Sequence, residues 1–194
     1  MKAENAKISS DEMQMSFTLK NSGVAMANAI RRLSMGQVQI FAIDAITMYE
    51  NNSAFFDEYI ANRIGLIPIK TPDGYTDDDE VLFKLSAEGP GTIYSKDLTS
   101  TERGVGCVSK KIPIIELTEG QVVRLEGRAR LGRGRKHGKF QACLCSYGFD
   151  EKNSEFKFTV ESFGQMTAPE VMLKTGEILV GKCEDFLAQL EKKE

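Results

Sequence analysis

Residues 13–19 alternate. Met13, Met15, Phe17 and Leu19 fall on one side and Gln14, Ser16 and Thr18 on the other, which is the period-2 pattern of a half-buried strand. Met26, Ala29, Ile30 and Leu33 then recur at helical spacing, with Asn21 or Ser22 as the expected cap and Gly36 as the stop. Residues 38–49 read as strand from their isoleucine and aromatic content, but they alternate too poorly to give faces. Phe56, Tyr59, Ile60 and Ile64 predict a second helix, capped by Ser53 and closed by Gly65. Leu66, Ile67 and Ile69 continue as strand interrupted by Pro68, which points to a sheet edge or a strand end.

Pro72, Gly74 and a run of acids mark 71–80 as an exposed loop. Val81, Phe83, Leu85 and Ala87 alternate as a strand; 88–110 reads as loop with irregular strands, and 111–117 as a short strand. Val123, Leu125, Gly127 and Ala129 oppose Arg124, Glu126, Arg128 and Arg130, and a glycine-punctuated basic loop follows. Two more strands are expected around 142–147 and 156–160, with a turn at Asp150, Lys152 and Asn153. Thr167 and Glu170 form the signature of a capping box, with Pro169 in the first turn, where its missing N–H costs nothing. An apolar stripe from Val171 through Ile178, Phe186 and Leu190 then predicts a helix over 168–191. A helix of that length with Gly176 and Gly181 inside it needs tertiary or intersubunit packing to hold it.

Composition narrows the class. Hydrophobic residues at 41% and charged residues at 27% describe an ordinary globular chain. No apolar run is long enough for a membrane helix, and the N-terminus lacks the core of a signal peptide, so a cytoplasmic protein with reduced cysteines is expected. The net charge of −3 argues against a nucleic-acid binder as a whole. The charge is uneven, however. From Arg124 to Lys139 basic residues crowd together, with Arg128, Arg130, Arg133, Arg135, Lys136 and Lys139 as the candidate contact residues for phosphate or an acidic protein surface.

Catalytic chemistry finds little footing. The single histidine, His137, sits in this basic loop with nothing to orient it. Cys143 and Cys145 are spaced too closely for a zinc knuckle, and Cys107 and Cys183 lie far from them. The consecutive acids Asp77, Asp78, Asp79 and Glu80 read as a solvated turn. The glycine-rich basic loop is not a phosphate loop, because Phe140 follows Lys139 where a hydroxyl is needed. The residues alone leave two classes open: a protein that serves as an interaction surface, and a free-standing nucleic-acid-binding module using 124–139.

Three blocks of sequence, in order along the chain, carry a resemblance. The first holds Asn28-Ala29-Ile30-Arg31-Arg32, Phe56-Asp57-Glu58 and Arg63-Ile64-Gly65-Leu66-Ile67-Pro68. The second is Ala129-Arg130-Leu131-Gly132-Arg133-Gly134, and the third Phe158-Thr159-Val160-Glu161-Ser162-Phe163-Gly164. Together they resemble the family of the archaeal DNA-directed RNA polymerase D subunit, the third-largest subunit of eukaryotic RNA polymerase II and the bacterial alpha subunit.

The resemblance implies an α+β fold with a discontinuous dimerisation domain, 1–48 with 154–194, and an inserted mainly-β domain at 49–153. It implies a non-catalytic subunit that pairs with a smaller subunit of similar fold, called L. This pair would form a platform for the small subunits N and P and the second-largest subunit, with nucleic acid met only through the complex and catalysis carried by other chains. The interface would involve Met26, Ile30, Arg31, Arg32, Leu33, Arg63, Ile178, Phe186 and Leu190. Some relatives carry iron–sulfur or zinc sites; the matching region here, near Thr71 to Cys107, holds only Cys107, so neither cofactor is expected.

Overall fold

The computed structural model describes residues 1–191. In chain order these form β1 (Lys2–Ile8), β2 (Gln14–Lys20), α1 (Val24–Gly36), β3 (Gln39–Asn51), α2 (Asp57–Gly65), β4 (Glu80–Glu88), β5 (Gly91–Tyr94), β6 (Thr99–Ser100), β7 (Pro113–Leu117), β8 (Val122–Arg133), β9 (Cys143–Asp150), β10 (Glu155–Ser162) and α3 (Ala168–Glu191). The chain is α+β, with antiparallel sheets and helices. It divides into two compact units: Met1–Gln39 together with the chain from Arg133 onward, and Ile40–Gly132.

The first unit holds a four-stranded sheet in the order β1-β2-β10-β9. Strands far apart in sequence meet at its centre, where β2 pairs with β10 so that Phe17 faces Phe158; the two rings stack at 4.8 Å. Phe156, Phe158 and Val160 turn inward, while Lys157, Thr159 and Glu161 stay exposed, which is the alternation that the sequence pattern predicts. One face of the sheet is covered by α1 and α3. Ala27, Ile30 and Ser34 of α1 and Ala168, Val171 and Thr175 of α3 are buried.

The second unit carries the sheet β3-β8-β4-β6, a two-stranded ribbon of β5 and β7, and α2. Phe41, Phe83, Ile60, Ile64, Ile67 and Ile69 are among the fully covered residues of its core. Gly127 on β8 is closely packed: a Cβ there would stand 3.0 Å from the Ile43 Cγ2, so that side chain would have to shift.

Several local expectations are corrected. Neither Asn21 nor Ser22 caps α1; Gly23 stands at the cap without a side-chain bond. Ser53 does not cap α2, which begins after Phe56. Instead, the Asn51 side chain accepts from the Ser53 backbone N–H at 3.0 Å and forms a turn ahead of the helix. Residues 66–69 form no strand, only a single bridge between Ile69 and Cys107. The polar strand β1 escaped the pattern because only one of its residues is even half-buried. The two compact units part after Gln39 and after Gly132, whereas the expected segments part at 48 and 153. β9 pairs along its whole length with β10, and this ties residues after Arg133 to the first unit. The capping box at α3 is made: the Thr167 N–H donates to Glu170 Oε2 at 2.7 Å and the Glu170 N–H to Thr167 Oγ1 at 3.3 Å.

Candidate functional site

The features that stand out chemically are a helix face, a cleft and the basic segment. The helix is α3. Its first half rests on its own unit through Val171 and Thr175, but every residue from Lys182 to Leu190 is exposed. Leu173 is 66% accessible, Val180 56%, Phe186 61%, Leu187 57% and Leu190 53%. Leu173, Gly176, Val180, Cys183, Leu187 and Leu190 follow one another at alternating three- and four-residue steps. That is the 3.5-residue repeat of a coiled-coil seam. At 100° per residue it lies on the side of α3 opposite Val171 and Thr175. The helix therefore has one apolar face used by its own sheet and a second left uncovered.

The cleft lies between α1, α3 and the loop after β8, with a volume of about 740 Å³. Gly134 makes it possible, since a Cβ there would collide with the Met35 carbonyl oxygen. The close approach lets the Arg135 N–H donate to the Gly36 carbonyl at 3.0 Å, holding the loop against the end of α1. Arg32, Arg135 and Lys182 line the cleft.

The residues singled out in the sequence are distributed as follows. Ile30 is buried in its own unit, Met26, Leu33 and Ile178 are half-buried, and Phe186 and Leu190 are exposed on α3. Arg31 is occupied locally, with its Nη2 donating to Asn28 Oδ1 at 2.9 Å; Arg32 is exposed at the cleft. In the second unit Arg63 donates from Nε to the Ile114 carbonyl at 2.6 Å and also to the Pro113 carbonyl. Its guanidinium lies over the Tyr59 ring at 5.9 Å. Arg63 thus ties α2 to the start of β7.

The basic segment is divided between the two units. Arg128 and Arg130 stand on β8 in the second unit, whereas Arg135, Lys136 and Lys139 belong to the first; Arg133 is at the division. Arg130 pairs with Glu80 and Arg124 with Glu50, so cross-strand carboxylates answer part of the charge. Lys136 and Lys139 lie 5.5 and 5.3 Å from the ring of the buried Phe140. The His137 Nδ1 accepts the Lys139 N–H at 3.1 Å, and the ring is a turn cap.

The cysteines are free thiols. Burial pushes Cys107 up to about 11 and Cys143 up to about 12. Burial also raises Cys145, opposed by the Ser34 hydroxyl and the Arg31 charge. A thiol held so far above neutrality is not a nucleophile at pH 7. Among the described residues no three His, Cys, Asp or Glu side chains gather as a metal site would need. No described helix is long and apolar enough to cross a membrane.

Sequence reasoning missed Leu173 and Val180. The signal was present: their spacing of seven, continued by Leu187, is a second periodicity hidden behind the stripe that faces the sheet.

The chain joins an α+β unit assembled from both of its ends to a β-rich unit between them. Residues 46–149 match the family model described as the RNA polymerase Rpb3/RpoA insert domain. The chain is 42% identical over 175 residues to the DNA-directed RNA polymerase subunit Rpo3 of Methanocaldococcus jannaschii, covering 90% of this chain and 89% of that one. It is 43% identical over 145 residues to Rpo3 of Pyrococcus horikoshii, covering 71% of this chain. Rpo3 of Halobacterium salinarum is 41% identical over 131 residues, covering 68%. The chain spans just over half the length of these last two, 56% and 53%. The chain belongs to the Rpo3 family of archaeal DNA-directed RNA polymerase subunits.

Proposed function

We propose that this chain is a non-catalytic assembly subunit of RNA polymerase that pairs through α1 and α3 with a smaller subunit of similar fold, L. The unit made from both chain ends serves as the dimerisation domain and Ile40–Gly132 as the insert. The pair in turn supports N, P and the second-largest subunit. The observation that carries this reading is the uncovered seam of α3. Fully burying a Leu or Val side chain contributes roughly 1.5–3 kcal/mol, and Leu173, Val180, Leu187 and Leu190, each more than half accessible, leave about half of that contribution unrealised among the described residues. A helix from a partner, packed knobs-into-holes on a 3.5-residue repeat, would realise it. Gly176 and Cys183 on the same seam allow a close approach.

The test is co-expression with the smaller subunit. Val180→Asp with Leu187→Asp is expected to abolish co-purification while the isolated chain keeps its circular dichroism. Heterodimer of normal yield from that variant, or from a chain truncated before Glu177, would overturn the pairing through α3.

A further inference from the structure

The two edges of the first unit's sheet are built differently. β1 forms one and β9 the other, and no described strand pairs with the outer side of either. β9 is regular: it meets β10 in an unbroken register from Asp150 opposite Glu155 to Cys143 opposite Ser162. It carries no lysine or arginine, and Leu144 and Phe149 are about half exposed. A flat, apolar edge of that length is a template for another strand. β1 has the opposite character. Ala3 lies opposite Leu19 and Glu4 opposite Thr18, but the register then slips, so that Lys7 meets Ser16 and Ile8 meets Met15. Two residues, Asn5 and Ala6, therefore stand against Phe17 alone, and Asn5 takes a left-handed φ of 55°. That is a bulge, whose extra residue bends and twists the strand. It also decides where the lysine points. Without it Lys7 would fall opposite Met15 on the covered side of the sheet; with it, Lys7 stays beside Ser16 on the other. Burial holds β1 little, since six of its seven residues are exposed. Ion pairs cross the strands instead: Lys2 to Glu4 at 2.7 Å, Glu4 to Lys20 of β2 at 3.4 Å and Lys20 to Glu155 of β10 at 2.8 Å.

All three pairings in the sheet are antiparallel, so β9 runs opposite to β1. A second copy moved along the sheet would lay its β9 antiparallel to β1 with the covered faces on the same side. Such a head-to-tail contact does not close, because each copy added leaves a fresh edge. Blocking one of the two edges is enough to stop the series. We propose that β1 is that block: a guard strand that covers the main chain of β2 and refuses the β9 edge of another copy of this chain. The bulge breaks the register that the eight residues of β9 would need. Lys2 and Lys7 would have to be drawn against an apolar strand. The seam of α3 takes no part, so the inference does not rest on pairing with a smaller subunit.

The test uses the full chain carrying Val180→Asp and Leu187→Asp as the parent, so that contacts through the α3 seam are suppressed. In that background Lys2→Thr and Lys7→Thr are combined in one variant, and Asn5 is deleted in another; all three positions are exposed. Sedimentation velocity is expected to show an open-ended series of oligomers for each. The mass in oligomers should be at least tenfold greater than the parent's at equal concentration, with circular dichroism unchanged. Leu144→Lys, which puts a charge on the β9 strand, should return both variants to the parent's behaviour. If deletion of Asn5 costs the fold its circular dichroism, the threonine variant decides alone, because threonine suits an exposed strand. Association of that variant no greater than the parent's, a closed dimer in place of a series, or a series indifferent to Leu144→Lys would each overturn the proposal. Parent and variants share one α3, so failure of the α3 pairing would leave these outcomes unchanged.

Discussion

The two units dispose of their apolar residues differently. In Ile40–Gly132 the large side chains of β4, β8, α2 and the segment after α2 close on one another, and Ile60, Ile64, Ile69 and Phe83 have no exposed surface. Its accessible large apolar residues, Tyr49, Phe56, Tyr59 and Leu66, are scattered over β3 and the two ends of α2. In the unit built from both chain ends one face of the sheet is covered by helices, yet one of those helices carries a regular apolar stripe that stays accessible among the described residues. A stripe with a regular repeat along a helix is a different signal from scattered exposed residues, which are normal on any protein surface. The second unit's exposed apolar residues follow no repeat; those of the first include a regular stripe along one helix.

The largest effect that sharpens this contrast should come from the self-sufficient core. Phe83→Ala removes a fully buried ring and is expected to cost about 3–5 kcal/mol, read by denaturant unfolding. Val180→Ala, on the seam, should cost the isolated chain well under about 1 kcal/mol while weakening heterodimer formation. If the two variants were equally destabilising in isolation, the contrast would fail. Next is Gly134→Ala, which forces a Cβ onto the Met35 carbonyl and should lower stability by about 1–3 kcal/mol. It should also disturb the cleft by displacing Arg135.

Gly176 and Gly181 allow a finer comparison on one helix. A Cβ meets nothing within 4 Å at either position. Alanine at each should therefore stabilise the isolated chain, by up to about 1 kcal/mol. Only Gly176 lies on the seam, so Gly176→Ala should loosen pairing and Gly181→Ala should not; calorimetry paired with a binding titration reads both signs.

One effect is confined to high pH and is absent at neutral pH. Folding raises the Cys143 thiol from 9.0 to about 12, so the folded state holds its proton more tightly than the unfolded state does. The stability this contributes is whole below pH 9 and falls between about 9 and 12, at no more than about 1.4 kcal/mol per pH unit. Cys143→Ala should remove that part of the alkaline slope.

The fold was legible wherever a single physical rule governed. β10 alternates because one face is buried, and α3 starts where it does because Thr167 and Glu170 satisfy each other's backbone. Both could be read directly from the chain. The start of α2 could not, because Ser53 is a good cap residue and nothing local says that Asn51 claims it for a turn. Residues 66–69 look like strand by composition, but no neighbouring strand accepts them. β1 was invisible because a nearly all-exposed strand has no buried face to imprint a period. The site was legible in part. Phe186 and Leu190 stood out on the expected stripe, whereas the cleft depends on three cations brought together from residues 32, 135 and 182. No spacing rule links those positions; only the pairing of β2 with β10 and the close approach at Gly134 do.

That pairing of β2 with β10 has a consequence for biosynthesis. A ribosome releases β2 early, but its central partner emerges only after the whole of Ile40–Gly132 has been made. The intervening unit can fold while synthesis continues, since all its strands are already present. The first unit cannot, and its helical surface takes shape only once β10 and α3 have followed. A chain that stops before β10 thus lacks both the strand that completes the first sheet and the helix whose apolar stripe stays accessible.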